Sequence, residues 1–311
     1  MADVSSSELN SHVEAFFAYM ARRRKSAKTI ERWRPELRRF VEWVGDRPLS
    51  AITGRELEFG FLTAWEAAFR ERNGRDPSPN SLRAVVQALT SFYAFLDRFE
   101  LLVDAEGKPL RNPTVVLDAP SIKPAAELDW LHAEDDEAFL AAEMNQREEI
   151  IVYFLRLTGL RVSEALGLLN RDVDLTRLVV QVRSSKSDSG YRSVPITPEL
   201  APKLSAWLAY TKANGWYASD GPFLVTKHAT PMKPQYVETV VARVGARAGL
   251  ARKVTPHTLR RTFGSDLLNR GARLEVVSKL LGHASTQITE KSYARLEDAT
   301  IRAEMLRALG A

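Results

Sequence analysis

Along the first third of the chain, large apolar residues recur every three or four positions between charged ones, the period of helices that bury one face. VEAFFAYMARRR predicts a first helix. A second begins near Ser26 and sets Ile30, Trp33, Leu37, Phe40, Val41 and Val44 on one stripe, with Pro35 inside the pattern where it could kink the helix. GRELEFGFLTAWEAAFRE reads as a third, closed by the turn-rich RNGRDPSP. NSLRAVVQALTSFYAFLDRF reads as a fourth, capped by Asn80 or Ser81. Residues 1–118 thus form an expected helical bundle. The period then lapses among prolines and small residues, and residues 119–127 are the expected linker.

Helical spacing returns in EDDEAFLAAEMNQ, in REEIIVYFLRLTGL, which closes at Gly159, and in RVSEALGLL. It gives way to RLVVQVRSS and YRSVPI, two runs of strand character around the polar turn KSDSG, a hairpin. Helices resume in PELAPKLSAWLAYTK, PQYVETVVARVGARAG, HTLRRTFGSDLLNRG, RLEVVSKLLGH and the C-terminal segment. The expected fold is mainly α: the helical domain, the linker, and a mixed α+β domain over 128–311 with a small antiparallel sheet.

Length agrees, since 311 residues exceed the size at which single cores stop growing. No apolar run approaches the roughly 20 residues of a membrane span, and the first residues lack the basic-then-apolar order of a secretory signal. With no cysteine, disulfides and thiolate metal sites are excluded, which fits a cytoplasmic setting and no membrane partner. The net charge of +5 leans towards an anionic partner. Its distribution says more: nine Lys or Arg residues fall between Arg22 and Arg39 against two glutamates. Either this run is a solvated helix face, or Arg22, Arg23, Arg24, Lys25 and Lys28 neutralise a phosphate backbone.

TPHTLRRTF carries candidate chemistry. A threonine cap and a first-turn proline start a helix, and His257 and Arg260 then share a face near its positive end, an arrangement that suits a phosphate. Four further motifs accompany it: Arg161 in TGLRVSEALGL, Lys186 in the hairpin turn, His283 in LLGHAS and Tyr293 in TEKSYARL. Neither HExxH, nor a close carboxylate triad, nor GxxxxGK[ST] is present, so no metal and no nucleotide cofactor is expected.

These five elements in this order resemble the tyrosine recombinase family of phage integrases, Xer-type recombinases and integron integrases. SAKTIERWRPELRRFVEWV, SPNSLRAVVQALTSFYAFL and NPTVVLDAP resemble its core-binding domain, so the likeness covers nearly the whole chain. The resemblance implies a SAM-like helical bundle and a catalytic domain forming a C-shaped clamp on double-stranded DNA. It implies Tyr293 as the nucleophile that leaves a 3′-phosphotyrosine link, and Arg161 and Arg260 as bidentate clamps on the phosphate. Glu164, three residues after Arg161, would orient it. Lys186 would protonate the departing 5′ oxygen, and His257 and His283 would bond the phosphate and exchange the tyrosine proton. Tyr293 follows His283 by ten residues, where nine is more frequent in the family. Ile301, Met305, Leu306 and Leu309 form a terminal stripe that either packs on its own domain or passes to a neighbour in a homo-tetramer on two duplexes.

Absence of an evident arm-binding segment favours a simple, Xer-like enzyme. Two other readings compete. A catalytically silent DNA-binding regulator would use VSEALGLLNRDVDLTR as a helix-turn-helix, and a topoisomerase IB-like enzyme would only nick and reseal. The complete residue set argues against the first, and the two-domain layout against the second.

Overall fold

The structure is a computed structural model that describes residues 6–104, 106–120, 130–183 and 191–283. The chain divides into two compact units, Met1–Ala126 and Glu127–Ala311. The expected linker and the C-terminal stripe lie largely or wholly outside the described residues.

The first unit is built from α1 (Ser6–Arg22), α2 (Ala27–Val44), α3 (Thr63–Asn73) and α4 (Pro79–Arg98). Helix α1 begins well before the expected Val13, because Leu9 extends the stripe of Val13, Phe16, Phe17 and Met20 into the core. Phe16 is an aromatic hub, with ring centroids 5.5–6.5 Å from Phe17, Trp33, Phe92 and Phe95. Ser26 caps α2 through Thr29, and the helix runs past Pro35 as one element to Gly45. A π-helical segment, Glu56–Leu62, leads into α3. The start of α4 corrects the expected cap: Ser78 accepts from the Ser81 backbone N–H, and Pro79 occupies the first helical position, where its missing donor costs nothing.

The second unit surrounds α6 (Gln146–Thr158), whose Ile150, Ile151, Val152, Phe154 and Leu155 are all buried. A helix apolar on every side must be enclosed, and α8 (Leu200–Ala213), α9 (Pro234–Arg247) and α10 (Pro256–Asn269) pack on it. Helix α5 (Ala133–Ala141) precedes it, and α7 (Val162–Leu166) follows. The expected hairpin is present as β2 (Val179–Arg183) and β3 (Tyr191–Pro195), antiparallel with Val180 opposite Val194 and Val182 opposite Arg192. A two-residue strand, β1 (Val173–Asp174), pairs with β2 and was not anticipated.

That strand removes the helix-turn-helix. After α7 the chain makes a 3-10 turn at Asn170–Asp172 and enters the sheet instead of a second helix. Asp172 accepts from the Leu169 backbone N–H at 3.0 Å, and Asn170 donates to the Ala218 carbonyl at 2.7 Å, which fixes the turn. A satellite core of Trp130, Phe263, Leu268, Val277 and Leu281 joins α10 to α11 (Leu274–Leu281), and β3 lies against α11. Among the described residues, no helix is long and apolar enough to cross a membrane.

Candidate active site

Four chain segments meet at the end of α11: β3 and three that carry expected site residues. The first leaves α6 at Gly159, whose φ of +62° favours glycine. A Cβ there would lie 2.3 Å from Phe263 Cδ1, so neither the conformation nor the space admits a side chain. Two residues later Arg161 caps α7, its backbone N–H donating to Glu164 Oε2 at 2.9 Å and its Nη1 donating to Oε1 at 2.8 Å.

The second segment is the start of α10. Thr255 accepts from the Thr258 backbone N–H at 3.1 Å and Pro256 follows it, as the sequence pattern requires. His257 is exposed, while Arg260, one turn on, is only 4% exposed. The Arg260 guanidinium donates from Nη1 to the Gly159 carbonyl at 2.7 Å and from Nη2 to the Leu281 carbonyl at 2.5 Å.

The third segment is the C-terminal end of α11, stopped by Gly282 at φ +64°. A helix end carries unpaired carbonyls and partial negative charge, which draws cations. Three successive carbonyls each take one arginine: Leu280 accepts from Arg192 Nε at 2.6 Å, Leu281 from Arg260, and Gly282 from Arg161 Nη2 at 3.0 Å. The same arginines surround Glu164. Arg192 forks onto both carboxylate oxygens at 3.2 and 2.8 Å, and Arg260 Nη1 lies 3.9 Å from Oε2.

Electrostatics follow from this packing. Burial pushes the Glu164 carboxyl up, but the Arg192 fork, the Arg161 backbone N–H, the charge of Arg192 and the Arg161 side chain outweigh it and hold the group down at about 2. Burial, then the charges of Arg260, Arg161 and Arg192, with His257 beyond them, push His283 down to about 4. Its imidazole is therefore neutral at pH 7 and can accept a proton as well as donate one. Arg161, Lys253, His257 and Arg260 line one concavity of about 430 Å³ together with Glu238. Such a surface can hold a tetrahedral anion beside a neutral base.

The structure thus brings together Arg161, Glu164, His257, Arg260 and His283, which lie far apart in the chain. Lys186 and Tyr293 lie outside the described residues. Sequence reasoning missed Arg192 and Lys253. Arg192 had a signal: in YRSVPI the period of two puts it on the face of Val194 and Ile196, and an inward arginine must have a partner. In the first unit, Arg22, Arg23, Arg24, Lys25 and Lys28 are all exposed around the turn joining α1 to α2. Arg23 donates to the Tyr19 hydroxyl at 3.2 Å, as Arg98 does at 3.1 Å. A larger concavity of about 1060 Å³ is lined by Trp130, Leu140, Tyr153, Leu157 and Phe263 together with Asp136, Arg156, Asp266 and Arg270.

A model of the phage integrase family matches residues 129–300. Tyrosine recombinase XerA of Thermococcus kodakarensis is 32% identical over 97% of this chain and 99% of its own length. Tyrosine recombinase XerC of Nitrobacter winogradskyi is 31% identical over 87% of this chain and 84% of its own. A crystal structure of XerA recombinase aligns over 97% of this chain and 98% of its own, with 28% identity and a TM-score of 0.51. XerH recombinase bound to a palindromic difH substrate shares the fold at a TM-score of 0.73 and 21% identity, over 98% of this chain and 85% of its own. With a family match over more than half its length and Xer relatives along nearly all of it, the chain belongs to the phage integrase family and is a tyrosine site-specific recombinase of Xer-like type.

Proposed function

We propose that the chain cuts and rejoins double-stranded DNA at a specific site through a 3′-phosphotyrosine intermediate, with Tyr293 as nucleophile. The observation that carries this reading is the convergence of Arg161, Arg260 and His257 on one concavity, with Arg161 bonded to the Gly282 carbonyl next to His283. Two guanidinium forks neutralise the non-bridging oxygens of a phosphodiester and gain strength as charge builds on the pentacoordinate phosphorus. His257 and His283 bond the same oxygens, and a neutral His283 takes the Tyr293 proton as the phenol attacks. The new Oη–P bond forms as the P–O5′ bond breaks, and Lys186 gives a proton to the leaving 5′ oxygen. Attack by another strand's 5′ hydroxyl reverses these steps and frees Tyr293. Bond energy is kept in the ester, so the chemistry calls for no nucleotide or metal.

Glu164 acts through Arg161, which it holds at the start of α7. The exposed charges of Arg22, Arg23, Arg24, Lys25 and Lys28 serve as backbone contacts for the helical domain, 1–118, which residues 119–127 tether to the catalytic domain, 128–311. The enzyme works as a homo-tetramer on two duplexes in the cytoplasm. Its C-terminal stripe, Ile301, Met305, Leu306 and Leu309, seats in the larger concavity of a neighbour, where Trp130, Leu140, Leu157 and Phe263 offer apolar contact among charged residues such as Asp136 and Arg270.

The test uses a duplex selected by the protein from a random pool, then nicked beside the cleavage point so that religation fails. The unsubstituted chain accumulates a covalent complex. Arg161→Ala and Arg260→Ala lose it by at least ~100-fold while binding the duplex with little change. Binding without any covalent complex would return the chain to the regulator reading.

A further inference from the structure

Arg192 lies on β3, outside the residues assigned to the chemistry, and its side chain is only 3% exposed, so it has no route to DNA. Yet it touches two of the three segments that carry the phosphate ligands, the start of α7 and the end of α11. One edge of its guanidinium meets both oxygens of Glu164 at the start of α7, and Nε meets the Leu280 carbonyl at the end of α11. The backbone leading to His283 passes over the same group: a Cβ on Gly282 would lie 2.6 Å from Arg192 Nη1. A buried arginine is held at this cost only when its donors are used, and here they join three elements distant in sequence.

We infer that Arg192 is a positioning residue: it locks the Glu164–Arg161 turn to the His283 turn, and so sets the spacing of Arg161, Arg260 and His283 around the phosphate. Only the rate consequence rests on the cleavage chemistry proposed above. Lysine cannot replace the group, because an ammonium offers no planar fork to span a carboxylate and a carbonyl together. A side chain at 282 would press on this guanidinium, and the φ of +64° there favours glycine in any case.

Two variants of the full chain, Arg192→Lys and Arg192→Gln, test this with two readouts. On the selected nicked duplex, Arg192→Lys binds within about threefold of the unsubstituted chain yet forms the covalent complex at least ~10-fold more slowly at saturating protein, and Arg192→Gln at least ~100-fold more slowly. In the DNA-free chain, the His283 titration followed by histidine NMR moves up in both variants, because the released turn loses its burial first and its cationic neighbours second. A purely electrostatic role for Arg192 would move it in the Gln variant alone.

Unchanged cleavage at saturation in both variants would overturn the inference, as would parallel loss of binding and cleavage in Arg192→Lys. An unmoved His283 midpoint in Arg192→Lys would do the same. Should Arg192→Gln fail to fold, the Lys variant decides, since it retains the charge. If even the unsubstituted chain forms no covalent complex, the proposed chemistry fails, and the His283 titration alone decides the place of Arg192.

Discussion

Replacing Glu164 by Gln removes the carboxylate that Arg161, Arg192 and Arg260 share while keeping its volume. The side chain is 5% exposed, so water cannot take over from the lost charge. Its folded pKa of about 2 lies below the ordinary 4.5, so it stabilises the fold fully above that ordinary value and loses its effect as pH falls towards 2. The depression of 2.5, from 4.5 to about 2, corresponds to about 3 kcal/mol at pH 7. Glutamine mimics the protonated acid, so Glu164→Gln should destabilise the catalytic unit by about that amount at pH 7. At pH 3.5 the gap should shrink by about 1 kcal/mol, because the unfolded wild-type carboxyl takes up a proton over much of that interval while the folded one does not. Urea unfolding at both pH values, fitted with one transition for each compact unit, measures the difference. A gap below about 1 kcal/mol at pH 7, or one that does not narrow in acid, would refute the assignment of Glu164 as the hub of the arginine cluster.

Gly159→Ala forces a side chain into positive φ and against Phe263; it should lower the stability of the catalytic unit by at least ~2 kcal/mol, read by thermal or urea unfolding. Because the Gly159 carbonyl holds Arg260, the same variant should cleave poorly even where it remains folded, which single-turnover assays on the nicked duplex would show. Charge reversal at Arg22, Arg23 and Arg24 should weaken DNA binding and flatten the slope of log affinity against log salt by up to ~0.9 per lost phosphate contact; an unchanged slope would assign these residues to solvent. Ser78→Ala should cost about 1 kcal/mol in the helical unit, by removing the hydroxyl that accepts from Ser81.

Much of the helical layout was legible because its apolar residues keep strict period: Leu37, Phe40, Val41 and Val44 are buried as their spacing required. The local punctuation at Gly159 and Thr255 was equally readable, since each acts on its own neighbours. What escaped depends on distant partners. Strand β1 is two residues long and carries no period at all. Its pairing with β2 turned a sequence suited to helix-turn-helix into sheet. Ser78 was passed over because Pro79 looked like part of the loop, although the first helical position tolerates it. At the site, residue types could be named from spacing, but not the ladder of carbonyls at 280, 281 and 282 that holds three arginines, because backbone acceptors leave no mark in sequence. Arg192 sat in plain alternation with Val194, and only its partner Glu164, 28 residues away, explains it.

The most direct measurement of the central claim is the identity of the residue joined to DNA. After trapping on the nicked duplex, nuclease and trypsin digestion followed by mass spectrometry should yield a single peptide that contains Tyr293 carrying a 3′-nucleotide. The adduct should vanish in Tyr293→Phe while binding persists. A linkage to another tyrosine such as the exposed Tyr191, attachment through a 5′ phosphate, or an adduct that survives Tyr293→Phe would contradict the account.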